Sequence, residues 1–162
     1  MRYNKIRKMD ISNGPGIRTS IFMQGCTFHC KNCFNPETYD FDKGEELTNE
    51  VIDKLLKLSE PDYIKGLSIL GGEPLHPRNA LGTLDVVKKF KERYPEKTVW
   101  VWTGFLYENV NKLYDLSDID VLIDGQYKEK LHDPTLKYRG SSNQRVIDIK
   151  KTKEKNKLVT LV

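Results

Sequence analysis

The sequence has no fourth cysteine. Its 162 residues hold three, at positions 26, 30 and 33. An odd, clustered set does not make a disulfide framework; it points to a metal or a cluster in a reducing compartment, the cytoplasm. There is no apolar run near the ~18–20 residues that span a bilayer. The first ten residues, MRYNKIRKMD, have no apolar stretch behind their basic residues, so no secretory signal is expected. Interleaved basic and aromatic stripes are missing, which argues against nucleic acid as a partner. Internal repeats, low-complexity blocks and linkers are missing too. Neither sign of charge dominates: the formal net charge is +4, and Lys150, Lys151, Lys153, Lys155 and Lys157 supply the local excess. A mixed-charge end of this kind reads as a solvated surface.

What is present is an ordinary globular composition, 38% hydrophobic and 31% charged, in a length suited to one domain. A chain of this size buries roughly two-thirds of its unfolded surface, so a core forms without staples. Short apolar runs predict strands over residues 18–24, 66–70, 98–102, 119–123 and 145–149. Helices are predicted over 47–59, 79–94 and 105–114. Thr48 is placed to cap the first, with Val51, Ile52, Leu55 and Leu56 on one face. Leu84, Val87, Phe90 and Tyr94 stripe the second, and Pro95 ends it. Alternating strands and helices imply βαβ units and a mainly parallel α/β sheet with right-handed crossovers. Trp100, Trp102 and Tyr94 read as core.

The cysteines, Gly71–Gly72–Glu73–Pro74, Thr103–Gly104 and Asp124–Gly125 each follow a predicted strand directly. Parallel strands end on one edge, the edge where α/β folds build their sites. Four chemically distinct segments, scattered over about a hundred residues, should therefore converge.

The spacing Cys26-x3-Cys30-x2-Cys33 lets one loop offer three thiolates to a soft, iron-rich centre. With no fourth cysteine, one iron of a four-iron cluster would be left open to a small ligand. Zinc is the competing reading, with His29 inside the motif and His76 and His132 as remote ligands. A ferredoxin-like electron carrier and a zinc-held adaptor without chemistry are the rival functions. Gly71 and Gly72 lack Cβ atoms, so their backbone can approach a ligand closely. Glu73 could meet a ligand ammonium, or face water from a turn made only for packing. Phe34 is either a cofactor contact or core.

The motif CTFHCKNCFNPETY matches the CxxxCxxC hallmark of the radical S-adenosylmethionine superfamily. Further segments follow the same order: Asn13–Gly14–Pro15–Gly16–Ile17–Arg18 ahead of it, and Gly71–Pro77, Val101–Gly104, Leu122–Gly125 and Arg139–Gln144 behind. Over about residues 3–149 the chain resembles the glycyl-radical activating enzymes, and among them the activators of anaerobic ribonucleoside-triphosphate reductase. The GSSNQ segment and short length favour these over activators of other glycyl-radical enzymes such as pyruvate formate-lyase. The resemblance implies an incomplete (β/α) barrel in a single domain spanning 1–162, with about 150–162 a basic extension. It implies a [4Fe–4S] cluster on Cys26, Cys30 and Cys33, and S-adenosyl-L-methionine contacted by Asn32, Cys33, Phe34, Gly71, Gly72 and Glu73. Many superfamily members carry an aromatic residue where this chain has Asn32. The implied activity is reductive cleavage of S-adenosylmethionine to a 5′-deoxyadenosyl radical, which takes hydrogen from a glycine of the reductase. A flavodoxin-type or other low-potential donor would supply the electron. Gly14, Gly16 and Arg18 would shape the mouth for the partner's glycine loop, or form a plain turn with a surface arginine. Asn143 and Gln144 would line that mouth or cap the sheet.

Overall fold

Apolar runs too short for helices become the strands at the centre of the protein. The computed structural model describes residues 1–162. Its strands are β1 (Arg2–Asp10), β2 (Ile17–Met23), β3 (Glu45–Glu46), β4 (Ile64–Gly71), β5 (Thr98–Trp102), β6 (Val121–Asp124) and β7 (Arg145–Asp148). Its helices are α1 (Asn49–Leu58), α2 (Ala80–Arg93), α3 (Tyr107–Leu113) and α4 (Ile149–Lys155). All strands join one mixed sheet in the order β3-β1-β2-β4-β5-β6-β7. The inner strands β2, β4, β5 and β6 run parallel, while β1, β3 and β7 pair antiparallel with their neighbours. The sheet does not close, since β3 and β7 are its edges.

The helices cover one face. Ile21, Met23, Leu67, Ile69, Val99, Val101, Leu122 and Ile147 point to it from alternate strand positions. They pack with Ile52, Leu55, Val86, Val87, Phe90 and Val110 of the helices in one core cluster. Each such side chain contributes on the order of 1.5–3 kcal/mol on burial. Helix α1 starts where Thr48 Oγ1 accepts the Val51 N–H at 3.2 Å, as its sequence predicts. The opposite face carries a smaller cluster, Trp100, Val121, Ile123 and Val146, with Trp102 and Tyr138 against it.

Three elements were not expected. Strand β1 mixes Lys, Arg and Asn with three apolar or aromatic residues in no regular alternation, and its value lies in pairing with β2 rather than in local apolarity. Strand β3 is two glutamates whose pairing with β1 is purely tertiary. Residues beyond 149 form α4, capped by Asp148, with Ile149 and Thr152 buried. The chain then returns along β7, where Asp148 N–H donates to Val159 O and Leu161 N–H to Val146 O, both at 2.9 Å. The lysines of this end are exposed.

Arg18 is the main departure from expectation. It is no surface arginine: it is 0% exposed, on the face away from the helices. Nε donates to Ser68 Oγ (2.8 Å), Nη1 to Thr98 Oγ1 (3.0 Å), and Nη2 to Thr98 O (2.9 Å) and Leu67 O (3.1 Å). One side chain thus ties β2, β4 and β5 together. Burial lowers its pKa to about 10, still well above neutrality.

Candidate iron–sulfur and cofactor site

The loop after β2 is closed at its base before the first cysteine. Gly25 N–H donates to Thr38 O (2.7 Å) and Cys26 N–H to Tyr39 O (3.1 Å). Within it, Cys33 N–H reaches Cys30 O at 3.1 Å, a tight turn. Asn32 takes φ 55°, a left-handed geometry that asparagine tolerates and an aromatic would not favour. Cys26 is buried, and Cys30 and Cys33 are partly exposed. Burial pushes the Cys26 and Cys30 thiols up, so their thiolate forms need a bound cation to persist.

All three cysteines line a single cavity of about 680 Å³. Gly71, Gly72, Glu73, Thr103, Gly104 and Gly125 line it as well. The strand ends that the sequence placed on one edge therefore meet around one space. Phe34, Asn35, Tyr39, Trp102, Tyr138 and Arg139 complete much of the wall.

Gly71 and Gly72 are required by the chain itself. Gly71 has φ +147°, and a Cβ there would lie 2.4 Å from Met23 O. A Cβ on Gly72 would lie 2.7 Å from Gly25 O. The β4 turn is pressed against the end of β2, directly beside the cysteine loop.

Glu73 is 1% exposed, and its carboxylate is occupied by the protein. Gly104 N–H donates to Oε1 (2.6 Å), while Leu75 N–H (2.8 Å) and the Thr103 hydroxyl (2.7 Å) donate to Oε2. Glu73 thus binds the end of β4 to the end of β5. Burial pushes its carboxyl up to about 7 against the pull of these three donors.

Phe34 is not core: it is 63% exposed and tilts against Tyr127 with centroids 5.0 Å apart. The Asn32 side chain lies outside the cavity wall, its amide hydrogen-bonded to the Glu129 carboxylate. Trp102 lines the cavity, its indole N–H donating to Tyr138 O at 2.8 Å. Gln144 holds its own loop and borders the cavity. Its Oε1 accepts from Gly140 N–H (3.0 Å) and Ser141 N–H (3.1 Å), and it also lines the cavity. Asn143 reaches Gln126 O at 2.7 Å and serves the loop. Asp124 is fully buried and holds Arg145 (3.0 Å, Nε to Oδ1) and the Tyr107 N–H (2.8 Å).

The histidines do not assemble a zinc site. His29 Nε2 lies 2.9 Å from Cys26 O, and the ring stacks on Tyr39 at 4.2 Å. His76 packs on Phe41 at 4.6 Å. No three His, Cys, Asp or Glu side chains are placed to hold one metal ion. Three soft thiols around a shared cavity instead match the donor set of a multi-iron cluster.

The family model described as a 4Fe-4S single cluster domain matches residues 12–147. The anaerobic ribonucleoside-triphosphate reductase-activating protein of Enterobacteria phage T4 is 40% identical over 147 residues, covering 90% of this chain and 93% of its own. The chain belongs to this family of activating proteins. Family members of the same name from Vibrio cholerae and Escherichia coli K12 are each 38% identical, over 148 and 150 residues, covering 89% of this chain and 96% of theirs. Membership brings an iron–sulfur cluster domain to the segment that contains the three-cysteine loop and the cavity. Tyr39, Asn35 and Arg139 lie within segments that carry the resemblance, but no role follows for them from the sequence, because nothing in their local pattern marks them as facing the cysteines.

Proposed function

We propose that this protein activates an anaerobic ribonucleoside-triphosphate reductase by radical S-adenosylmethionine chemistry. Cys26, Cys30 and Cys33 hold a [4Fe–4S] cluster at the strand-end cavity. The observation that carries this reading is that three thiols, with no fourth in the chain, line one cavity together with Gly71 and Gly72. The missing fourth thiolate leaves one iron for S-adenosylmethionine. When bound and reduced by one electron from an external donor, the cluster would supply the electron that breaks the sulfonium–C5′ bond, releasing methionine and a 5′-deoxyadenosyl radical able to take hydrogen from a glycine Cα of the reductase.

The chain's own residues position and enclose. Gly71 and Gly72 bring bare main chain to the cavity wall beside Cys33. Glu73 acts from behind, holding that turn against Thr103–Gly104, rather than meeting the cofactor's ammonium. Asn32 likewise acts from behind, setting the turn before Cys33. Phe34 and Trp102 offer apolar surface to the adenosine. The open sheet is read as an incomplete barrel, with the reductase covering the side that the missing strands leave free. A low-potential donor of flavodoxin type completes the set of partners.

The test is anaerobic reconstitution with iron and sulfide, reduction, and assay of 5′-deoxyadenosine from S-adenosylmethionine, then of a glycyl radical on added reductase. Product that disappears in Cys30→Ala, together with the bound iron, is the expected result. A cluster that forms but yields no 5′-deoxyadenosine, with or without reductase, would overturn the proposal in favour of electron transfer. No helix is long and apolar enough to cross a membrane.

A further inference from the structure

Three buried side-chain polar atoms lack a hydrogen-bond partner: Gln24 Oε1, and Nε and Nη1 of Arg139. Two of the three thus belong to one guanidinium, and that guanidinium borders the cavity of the cysteines. The protein treats its other enclosed arginines differently. Arg18 is satisfied by four acceptors on β4 and β5, besides Pro15 O at 3.4 Å. Arg145 is paired with Asp124 and with Glu108, at 2.5 and 2.8 Å. Arg139 as a whole is half-buried, but its Nε and Nη1 are closed off from water, and donors closed off without an acceptor are costly.

The position of Arg139 is fixed on both sides. Before it, Tyr138 O receives the Trp102 indole N–H. After it, Gly140 N–H donates to Gln144 Oε1, and Gly140 O accepts from Asp133 N–H at 3.1 Å. Gly140 sits so close to Phe34 that a Cβ on it would be 2.8 Å from the ring. The Arg139 backbone is therefore docked on the residue that follows Cys33. Asp133 feels the arginine's charge but forms no ion pair with it, bonding its own loop at Thr135 instead.

We propose that Arg139 binds the carboxylate of the methionine arm of S-adenosylmethionine. This rests on the function proposed above. At neutral pH that cofactor carries two cationic groups, the sulfonium and the ammonium, and a single anionic one. A guanidinium repels the first two and pairs with the third through charge-assisted hydrogen bonds. The pair would give the arginine its missing acceptor and would anchor one end of the methionine arm. Arg139 then sets which way the sulfonium faces, and its contribution falls on binding before any bond is broken.

The experiment uses cluster-loaded, unreduced protein under anaerobic conditions, so that no turnover occurs. Affinities are measured for S-adenosylmethionine, for S-adenosylhomocysteine, which keeps the carboxylate without the sulfonium charge, and for 5′-methylthioadenosine, which has no carboxylate. Arg139→Gln should weaken the first two about ten- to hundred-fold and leave the third unchanged. Arg139→Lys should recover part of the loss. Iron content should be unaltered, and the urea midpoint of Arg139→Gln should be no lower than that of the unmodified protein, because two closed-off donors without acceptors have been removed. Unchanged affinity for S-adenosylmethionine in Arg139→Gln overturns the proposal, and does so equally if affinity for the reductase falls instead. An equal loss for all three ligands with a lower urea midpoint also overturns it, by making Arg139 a structural residue. If the unmodified, fully loaded protein binds no S-adenosylmethionine, the proposed function itself fails, which the variants' behaviour cannot mimic.

Discussion

Replacing Glu73 with alanine removes an acceptor shared by three buried donors. Leu75 N–H, Gly104 N–H and the Thr103 hydroxyl all end on its carboxylate, at 2.8, 2.6 and 2.7 Å. A buried donor left without a partner costs about 1–3 kcal/mol. The Thr103 hydroxyl can rotate and water can enter the space, so about 3 kcal/mol is expected for Glu73→Ala rather than the full sum. Glu73→Gln keeps the volume and an acceptor oxygen for two donors, but turns an N–H₂ toward the third; it should cost about 1–2 kcal/mol. The carboxyl's pKa in the fold, about 7, lies above its ordinary value of 4.5. The folded state therefore holds the proton more tightly, and the stability this gives is present at low pH and lost as pH rises through about 7. Glutamine does not titrate, so the difference between the unmodified protein and Glu73→Gln should fall by roughly 2 kcal/mol between pH 5.5 and 8. Urea unfolding of the cluster-free protein at both pH values measures this. A Glu73→Ala protein of unchanged stability that no longer binds S-adenosylmethionine would refute the reasoning and make the carboxylate a cofactor contact.

Three further outcomes follow from the packing. Asp124→Asn leaves Arg145 facing a neutral amide at a site with 0% exposure of the Asp124 side chain, and should cost about 1–3 kcal/mol in urea unfolding, because Arg145 is 30% exposed and keeps its pair with Glu108. Arg18→Ala should cost about 3 kcal/mol or more, since it opens space between β2, β4 and β5 and strands Ser68 and Thr98; Arg18→Lys should restore little, because an ammonium cannot reach three strands in one plane. Removing residues 158–162 takes away the two main-chain bonds to β7 and should lower stability by about 1–3 kcal/mol, with the largest rise in amide exchange at Asp148, whose N–H loses its acceptor.

The sequence by itself determined the parts that depend on local order. Strand ends carrying Cys26–Cys33, Gly71–Glu73, Thr103–Gly104 and Asp124–Gly125 were legible because a parallel sheet puts every such end on one edge. Helices α1, α2 and α3 were legible from periodicity and the Thr48 cap. What only the tertiary structure decided is where a polar side chain ends up once neighbouring elements close over it. From the sequence Arg18 reads as shaping the mouth for the partner's glycine loop or as a surface arginine, because its partners, Ser68 and Thr98, are 50 and 80 residues away. Glu73 reads as meeting a ligand ammonium or facing water, because its three donors come from two different strand ends that meet only in the fold. Strands β1 and β3 had no apolar signal, since their hydrogen bonds are supplied by other strands. Arg139 opens a segment that carries the resemblance, yet nothing in the sequence assigns it a role: a guanidinium nitrogen without an acceptor is visible only when every group around it has been placed.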